Sequence, residues 1–241
     1  MKFKTSITHI KDGKEVVRGH ELSALVQEKT FPEAVFLILS GRLPKEKELR
    51  LWNAMLTSVI DHGPGVASAM NARISASADN PIHASLAAGL LGFGKRHGMA
   101  VEGAMEFFYA HEKETDLAGL LAKLKEQKVR VPGYGHKVFT ESDPRTETLF
   151  AIAHETGIAG VYCTFAKTVQ ETLNSISSKK LPLNVDGAIA AILCDMGFSP
   201  AAGNAVFLIG RVPGLLAHIL EEEEQDEGIR RLPEEDITYT G

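Results

Sequence analysis

Along most of the chain, apolar residues recur three and four positions apart, the spacing of helices buried on one face. The exception comes first. Over residues 5–17, apolar and polar residues alternate around Asp12-Gly13, a pair that tolerates the positive φ angles of a hairpin turn, which predicts two short antiparallel strands. A helix over residues 32–39 stops at Ser40-Gly41. The next starts at Pro44 and runs to about Asp61 on the spacing of Leu49, Trp52, Leu56 and Ile60. Val66, Met70, Ile74 and Ala78 mark another. Pro81 opens a helix through Phe93, so rich in Ala, Gly and Leu that it is expected to be central and buried on most sides. Further helices are predicted over residues 101–111, 116–128, 144–156, 160–175, 186–196 and 200–221. Breaks fall at Gly133 to His136 and at Ser177-Ser178-Lys179-Lys180. The charged and then polar stretch from Glu222 onward reads as a solvated arm, in which Ile237-Thr238-Tyr239-Thr240 keeps an ordered alternation. The predicted fold class is all-α, mostly helical, with a short N-terminal β-hairpin.

The chemistry-bearing residues fall at the ends of these helices. In Val131-Pro132-Gly133-Tyr134-Gly135-His136-Lys137-Val138, the two glycines allow backbone angles closed to other residues and let a ligand approach the main chain. The turn either presents His136 as part of a site or is only a tight loop. His62, in Asp61-His62-Gly63-Pro64-Gly65, is either a residue favoured by a helix C-terminus or one that faces a carboxylate ligand. His97 follows Lys95-Arg96, a solvated last turn in the simplest reading, and as a neutral imidazole it can donate one hydrogen bond. Asp186 is either a plain helix N-cap or a general base kept ionised by the helix N-terminus. Arg211 interrupts the otherwise apolar residues 206–219 and needs a partner or ligand there, whereas Arg145 and Arg231 lie in polar company. Guanidinium groups clamp carboxylates, histidines polarise carbonyls, and a carboxylate can take a proton from carbon beside a thioester. The set suits carbon–carbon bond chemistry on a polycarboxylate.

Composition narrows the picture. The 241 residues allow one large domain or one and a half, and 44% hydrophobic content supports a substantial core. Net charge is −5 with Lys and Arg scattered, so no basic stripe points to nucleic acid. Cys163 and Cys194 are expected to be buried thiols, and no Cys/His spacing fits a metal site. The N-terminus has no apolar signal core, and no apolar run is expected to reach membrane-spanning length, which reads as a cytoplasmic protein.

Over nearly the whole chain, the order of motifs resembles the citrate synthase superfamily. The resemblance is carried by Arg18-Gly19-His20-Glu21-Leu22, Gly41-Arg42-Leu43-Pro44, Asp61-His62-Gly63, residues 94–98 and 133–138, Asp143-Pro144-Arg145, Asn184-Val185-Asp186, Arg211 and the tail from Arg231. The chain is much shorter than an ordinary citrate synthase. Residues 61–66, Lys179-Lys180, residues 184–187 and residues 231–239 look most like citryl-CoA lyase and the C-terminal citryl-CoA-cleaving module of ATP-citrate lyase.

The resemblance implies a large helical domain, residues 1–102 and 183–241, and a small lid domain, residues 103–182. It implies a homodimer or larger homo-oligomer, with sites completed across the interface. His62, Arg145 and Arg211 would hold the carboxylates of oxaloacetate or citrate, and Arg231 would do so from the neighbouring subunit. His136 would polarise the oxaloacetate carbonyl or handle the hydroxyl proton in reverse. Asp186 would move the proton of the acetyl-CoA methyl, and His97 would stabilise the enol. Gly133, Tyr134 and Gly135 would receive the CoA adenine, with Lys137, Lys179 and Lys180 near its phosphates. No tightly bound cofactor is implied; the CoA thioester, acetyl-CoA or citryl-CoA, is substrate. No ATP-grasp or phosphohistidine pattern is seen, so a separate citryl-CoA synthetase is an expected partner. His97 departs from the lyase module, which carries an aromatic residue there, and matches the synthase type. A compact citrate synthase or related condensing enzyme therefore stands beside the lyase. A reading of another class, a non-catalytic CoA-binding partner subunit, has no need of His97, His136 and Asp186 together.

Overall fold

A computed structural model describes residues 2–241. The alternating N-terminal stretch forms β1 (Thr8–Lys11) and β2 (Lys14–Val17), turned at Asp12-Gly13 with positive φ at both residues. A two-residue β3 (His20–Glu21) completes a small antiparallel sheet in the order β1-β2-β3. Arg18 locks this sheet to the helices by donating through Nε and Nη2 to the Ile38 carbonyl. Eleven α-helices follow among the described residues: α1 (Leu22–Glu28), α2 (Phe31–Ser40), α3 (Glu46–Ser58), α4 (Ala67–Ser77), α5 (Ile82–Leu91), α6 (Val101–His111), α7 (Leu117–Glu126), α8 (Pro144–Thr156), α9 (Val161–Ile176), α10 (Val185–Asp195) and α11 (Pro200–Gln225). The short α1 has no counterpart in the sequence expectations. Helix α2 starts where predicted because Thr30 and Glu33 form a reciprocal cap, and it ends at Gly41 in the left-handed conformation (φ 81°).

The central helix is α10, not the Ala/Gly/Leu-rich α5. From Val185 to Cys194 every residue of α10 except Asp186 is buried, and α6, α8, α9 and α11 pack around it. Helix α5 pairs with α4 so closely that a Cβ on Gly89 would lie 3.0 Å from the Ala72 Cβ. That contact explains its small residues, but its other face is open, with Leu91 84% exposed. Small residues report a close helix neighbour on one side; they do not report how many sides are covered.

Helix α11 corrects a second expectation. It has 26 residues and a stretch of mean hydropathy 1.4, long and apolar enough to cross a membrane by length and composition. Its apolar face instead packs against α3, α4, α5, α6 and α10 in the core. Cys163 and Cys194 are free buried thiols, as expected, and burial pushes the Cys194 thiol up to about 12.

One junction places the chemistry. Gly133 sits at φ +86°, and its carbonyl accepts from the Asn184 N–H at 2.9 Å. The Gly135 N–H donates to the Pro182 carbonyl (2.7 Å), and Asn184 Nδ2 donates to the Gly135 carbonyl (2.9 Å). The loop carrying His136 is thereby stitched to the start of α10, which carries Asp186. The two backbones meet so closely that a Cβ on Gly187 would lie 2.5 Å from both the Gly133 oxygen and the Leu183 Cδ1. Gly187→Ala is therefore expected to lower stability by about 1–3 kcal/mol, read as a fall in the midpoint of thermal or urea unfolding. An unchanged midpoint would show that the junction can move apart freely.

Candidate active site

Asp143 caps the N-terminus of α8, accepting from the Arg145 N–H at 3.0 Å, with Pro144 pre-set for the first turn. The same carboxylate, 1% exposed, accepts from Arg145 Nε (3.0 Å) and Nη2 (2.8 Å), and from the Val185 N–H (3.1 Å). Arg145 is thus aimed by a bidentate pair whose other half is bonded to α10. Burial raises the Asp143 pKa, but the Arg145 hydrogen bonds and charge outweigh it and leave the group below its ordinary value. Sequence reading named Asp143 within a motif and assigned it no role.

His136 Nδ1 accepts from the N–H groups of Val138 (3.1 Å) and Phe139 (3.0 Å). In the neutral ring the proton therefore resides on Nε2. Arg145 Nη2 lies 3.5 Å from that Nε2. Two donors at this distance do not bond to each other. They lie close enough to share one acceptor, such as an oxyanion or carbonyl oxygen. Burial, then the Arg145 charge, lowers the His136 pKa, so the imidazole is neutral at pH 7. The ring stacks on Phe139, centroids 4.8 Å apart, and meets the His62 ring edge-on at 5.5 Å.

His62 is the residue on which the other charges act. Burial lowers its pKa first, followed by Arg145, Arg211, His136 and His97. Its loop is pinned by Asp61, which accepts from the Gly63 N–H at 2.8 Å and lies 3.0 Å from His218 Nε2. The His62 ring is thereby turned toward His136. His97 closes a tight turn through paired bonds with Gly94, stacks on Phe93 at 5.1 Å, and places Nε2 2.8 Å from Ser68 Oγ. Ser68, fully buried in α4, was missed; a serine in an Ala-rich helix carries no sequence signal. Burial and then Arg211 lower the His97 pKa, which keeps this ring neutral too.

Asp186 lies in the first turn of α10 but does not cap it. Asn184 is the cap, its Oδ1 accepting from the Gly187 N–H at 3.1 Å. Of the two sequence alternatives, the plain N-cap is therefore set aside, and the carboxylate is left without a protein donor among the described residues. Burial pushes its pKa up to about 6, against the pull of Arg145 and Arg211. Arg211, 3% exposed, donates through Nε to the Val59 carbonyl (2.6 Å), where α3 ends, and lies over the Phe207 ring. Its remaining N–H groups have no protein acceptor among the described residues, and burial lowers its pKa.

Beside this cluster opens a pocket of about 720 Å³, which shares His136 with it. Lys137, Tyr134 and Gly135 line the pocket, and the other cations there are Arg96, Lys125, Lys128 and Arg130. Arg96, read as solvated, faces this cavity. Tyr134 contributes its ring only, since its hydroxyl donates to the Ala166 carbonyl (2.9 Å) and burial raises its pKa well above the ordinary value. Gly133 is packed against Gly187 and does not line the pocket. Lys179 and Lys180 are outside the lining, and Lys180 pairs with Glu141. Arg231 does not join the cluster within one chain; it sits on the exposed arm, beside a smaller pocket of about 300 Å³ with Pro64, Met70 and Ile74.

The family described as citrate synthase, C-terminal domain, matches residues 49–232. ATP-citrate synthase subunit 1 of Sordaria macrospora is 34% identical over 202 residues, 77% of this chain and 30% of its own length. This chain spans about a third or less of the curated relatives it matches. The citryl-CoA lyase from Hydrogenobacter thermophilus superposes with a TM-score of 0.93 at 44% identity, over 99% of this chain and 94% of that one. A mutant ATP citrate lyase from Methanosaeta concilii, in complex with (3S)-citryl-CoA, superposes with a TM-score of 0.88 at 26% identity, over 100% of this chain and 42% of that one.

Asp143→Asn should loosen Arg145 and the start of α10 together, at a cost of about 1.5–3 kcal/mol for losing hydrogen bonds to a charged acceptor. Because the folded-state pKa of Asp143 is depressed, its contribution is present above the unfolded value and is lost as pH falls through the folded one. Urea unfolding of both proteins at pH 7 and at pH 3 should show a difference at pH 7 that shrinks at pH 3.

Proposed function

The chain belongs to the citrate synthase family, and from that premise we propose that it is a citryl-CoA lyase, cleaving citryl-CoA to acetyl-CoA and oxaloacetate. The observation that carries the reading is one convergence. Two arginines, three neutral histidines and a carboxylate titrating at about 6 meet beside a basic pocket of about 720 Å³, a size that suits a nucleotide-bearing ligand.

Arg145, Arg211 and His62 hold the substrate carboxylates. His136 Nε2–H and Arg145 Nη2 stabilise one oxygen, the alkoxide of citryl-CoA during cleavage and the oxaloacetate carbonyl in the reverse direction. As the alkoxide forms, the hydroxyl proton passes to the Asp186 carboxylate; the bond between that carbon and the acyl methylene breaks, its electron pair passes into the thioester as an enolate steadied by His97, and Asp186 returns the proton to the enolate carbon. His136 is best suited to donation, because two N–H groups occupy its Nδ1. Arg96, Lys128, Arg130 and Lys137 face the phosphates of CoA, and the ring of Tyr134 packs beside its adenine.

Apart from Arg96, the pocket walls come from α7, α9 and the loops beside them, within residues 103–182. Asp186, Arg211, His62 and His97 lie outside that span. Residues 103–182 thus act as a lid that closes on residues 1–102 and 183–241 and expels water. The open face of α4 and α5, with Met70, Ile74, Ile82 and Leu91 exposed, is the surface that a second copy covers, forming a homodimer in which Arg231 reaches the neighbouring site. Activation of citrate as its thioester falls to a separate citryl-CoA synthetase, with both proteins in the cytoplasm. A compact citrate synthase is the second reading, favoured by His97 and its bond to Ser68.

Asp186→Asn should lower turnover at least ~100-fold while the fold is kept. Arg211→Ala should raise the KM for citryl-CoA about tenfold or more. Cleavage releases no net proton, so one protonation state of the free enzyme serves both directions, and kcat/KM should fall as pH drops below about 6, where Asp186 takes up its proton. The decisive assay compares two cuvettes. One holds acetyl-CoA, oxaloacetate and a thiol reagent; the other holds citryl-CoA with malate dehydrogenase and NADH. Oxaloacetate in the second without free thiol in the first is the lyase result. Free thiol in the first identifies a synthase, and silence in both removes enzymatic C–C chemistry on these substrates.

A further inference from the structure

Beyond the end of α11 the chain reverses at Asp226, in the left-handed conformation at φ 43°, and again at Gly228, at φ 81°. Every residue from Glu223 to Gly241 is exposed. The arm from Glu227 onward nevertheless has a defined course, with a short helical turn at Glu234–Asp236. Among the described residues, its hydrogen bonds to the rest of the chain all come from Arg230. The Arg230 N–H donates to Ser77 Oγ at 2.9 Å, at the end of α4, and its guanidinium donates to both oxygens of Glu222.

Glu222 is an unusual anchor. It lies among exposed glutamates on the last turns of α11, yet its side chain is 1% exposed. It accepts from Arg230 on one side and from Arg73 Nε of α4 on the other, at 2.7 Å. Arg73 is itself held by Glu221 at 2.5 Å and by Gln225 at 3.0 Å. One buried carboxylate thus sits between two guanidinium groups, and the residue it grips on the arm is the immediate neighbour of Arg231. A charged tether between a rigid helix and an otherwise solvated strand restricts where the next side chain can point.

We infer that Glu222 is the positioning residue of the enzyme's cross-subunit arginine: its pairing with Arg230, backed by Arg73, presents Arg231 to the site of the neighbouring subunit. The inference rests on the reading of Arg231 proposed above. Glu222 touches no substrate. It reduces the freedom that Arg231 would otherwise lose on binding a carboxylate, so its effect appears in substrate affinity and only through Arg231.

The test is a double-mutant cycle on the full-length protein, assayed by citryl-CoA cleavage with coupled detection of oxaloacetate. Dimer content is followed by size-exclusion chromatography. Glu222→Gln should raise the KM for citryl-CoA about tenfold, with kcat changed far less and the dimer intact. Arg230→Gln, a change confined to the solvated arm, should reproduce that shift, and it decides the matter if Glu222→Gln does not fold. Arg231→Ala should raise KM at least as much. Adding Glu222→Gln to Arg231→Ala should produce no further rise, because a tether has nothing left to aim. If Arg231→Ala raises KM while Glu222→Gln and Arg230→Gln do not, or if the effects multiply, the tether is overturned and the role of Arg231 stands. If all three leave KM unchanged, the role of Arg231 falls, and the inference falls with it.

Discussion

Asp143 accepts four N–H bonds in a site where water has little access: two from the Arg145 guanidinium, one from the Arg145 backbone and one from the Val185 backbone. Those bonds start two helices. They orient Arg145 beside His136, and they set the distance between the His136 loop and the first turn of α10. A carboxylate buried without such partners would carry a large desolvation cost, so it tolerates few other arrangements. The two glycines at the same junction do the complementary work. Gly133 and Gly187 bring the backbones together, and Asp143 holds them in register. The relative placement of His136 and Asp186 therefore belongs to the scaffold, and no flexible side chain has to find it.

The electrostatics of the cleft follow from desolvation more than from any single pair. Burial is the largest influence on His62, His97, His136, Asp186 and Arg211, and in each case it disfavours the charged form. The two arginines remain charged and press the three histidines toward neutrality. The same arginines limit how far the Asp186 pKa can climb. The result is a cluster of fixed positive charge, neutral N–H donors and one carboxyl group near its midpoint under mild conditions, a combination suited to carboxylate binding and acid–base chemistry.

Helix α11 connects these functions along its length. Near its middle, Gly210 and Gly214 let it approach the end of α3, where a Cβ on Gly214 would lie 2.2 Å from the Ile60 carbonyl. That approach puts Arg211 on the Val59 carbonyl and its free N–H groups in the cleft. At its far end, Glu222 ties down the arm that carries Arg231. A single helix thus holds Arg211 by close packing and the arm that carries Arg231 by an ion pair.

Local sequence was sufficient for much of this. Periodicity placed ten of the helices to within a few residues, and Asp12-Gly13 placed the hairpin, because spacing and turn chemistry are carried by neighbouring residues. The motifs also named the histidines and Asp186, which lie at helix ends, and Arg211, which breaks an apolar run; the role of Arg145 came only with the family resemblance. Other features required the folded chain. Asn184 takes the cap that would have silenced Asp186. Ser68 meets His97 across 29 positions and Arg211 meets Val59 across 152. Arg96 turns into the pocket while Lys180 turns to Glu141, and α5 leaves one face open where its composition suggested burial on most sides. Apart from the Asn184 cap, which is local, each of these depends on desolvation or packing between groups remote in sequence. Such energies exist only once the chain has brought the groups together, so no local pattern records them.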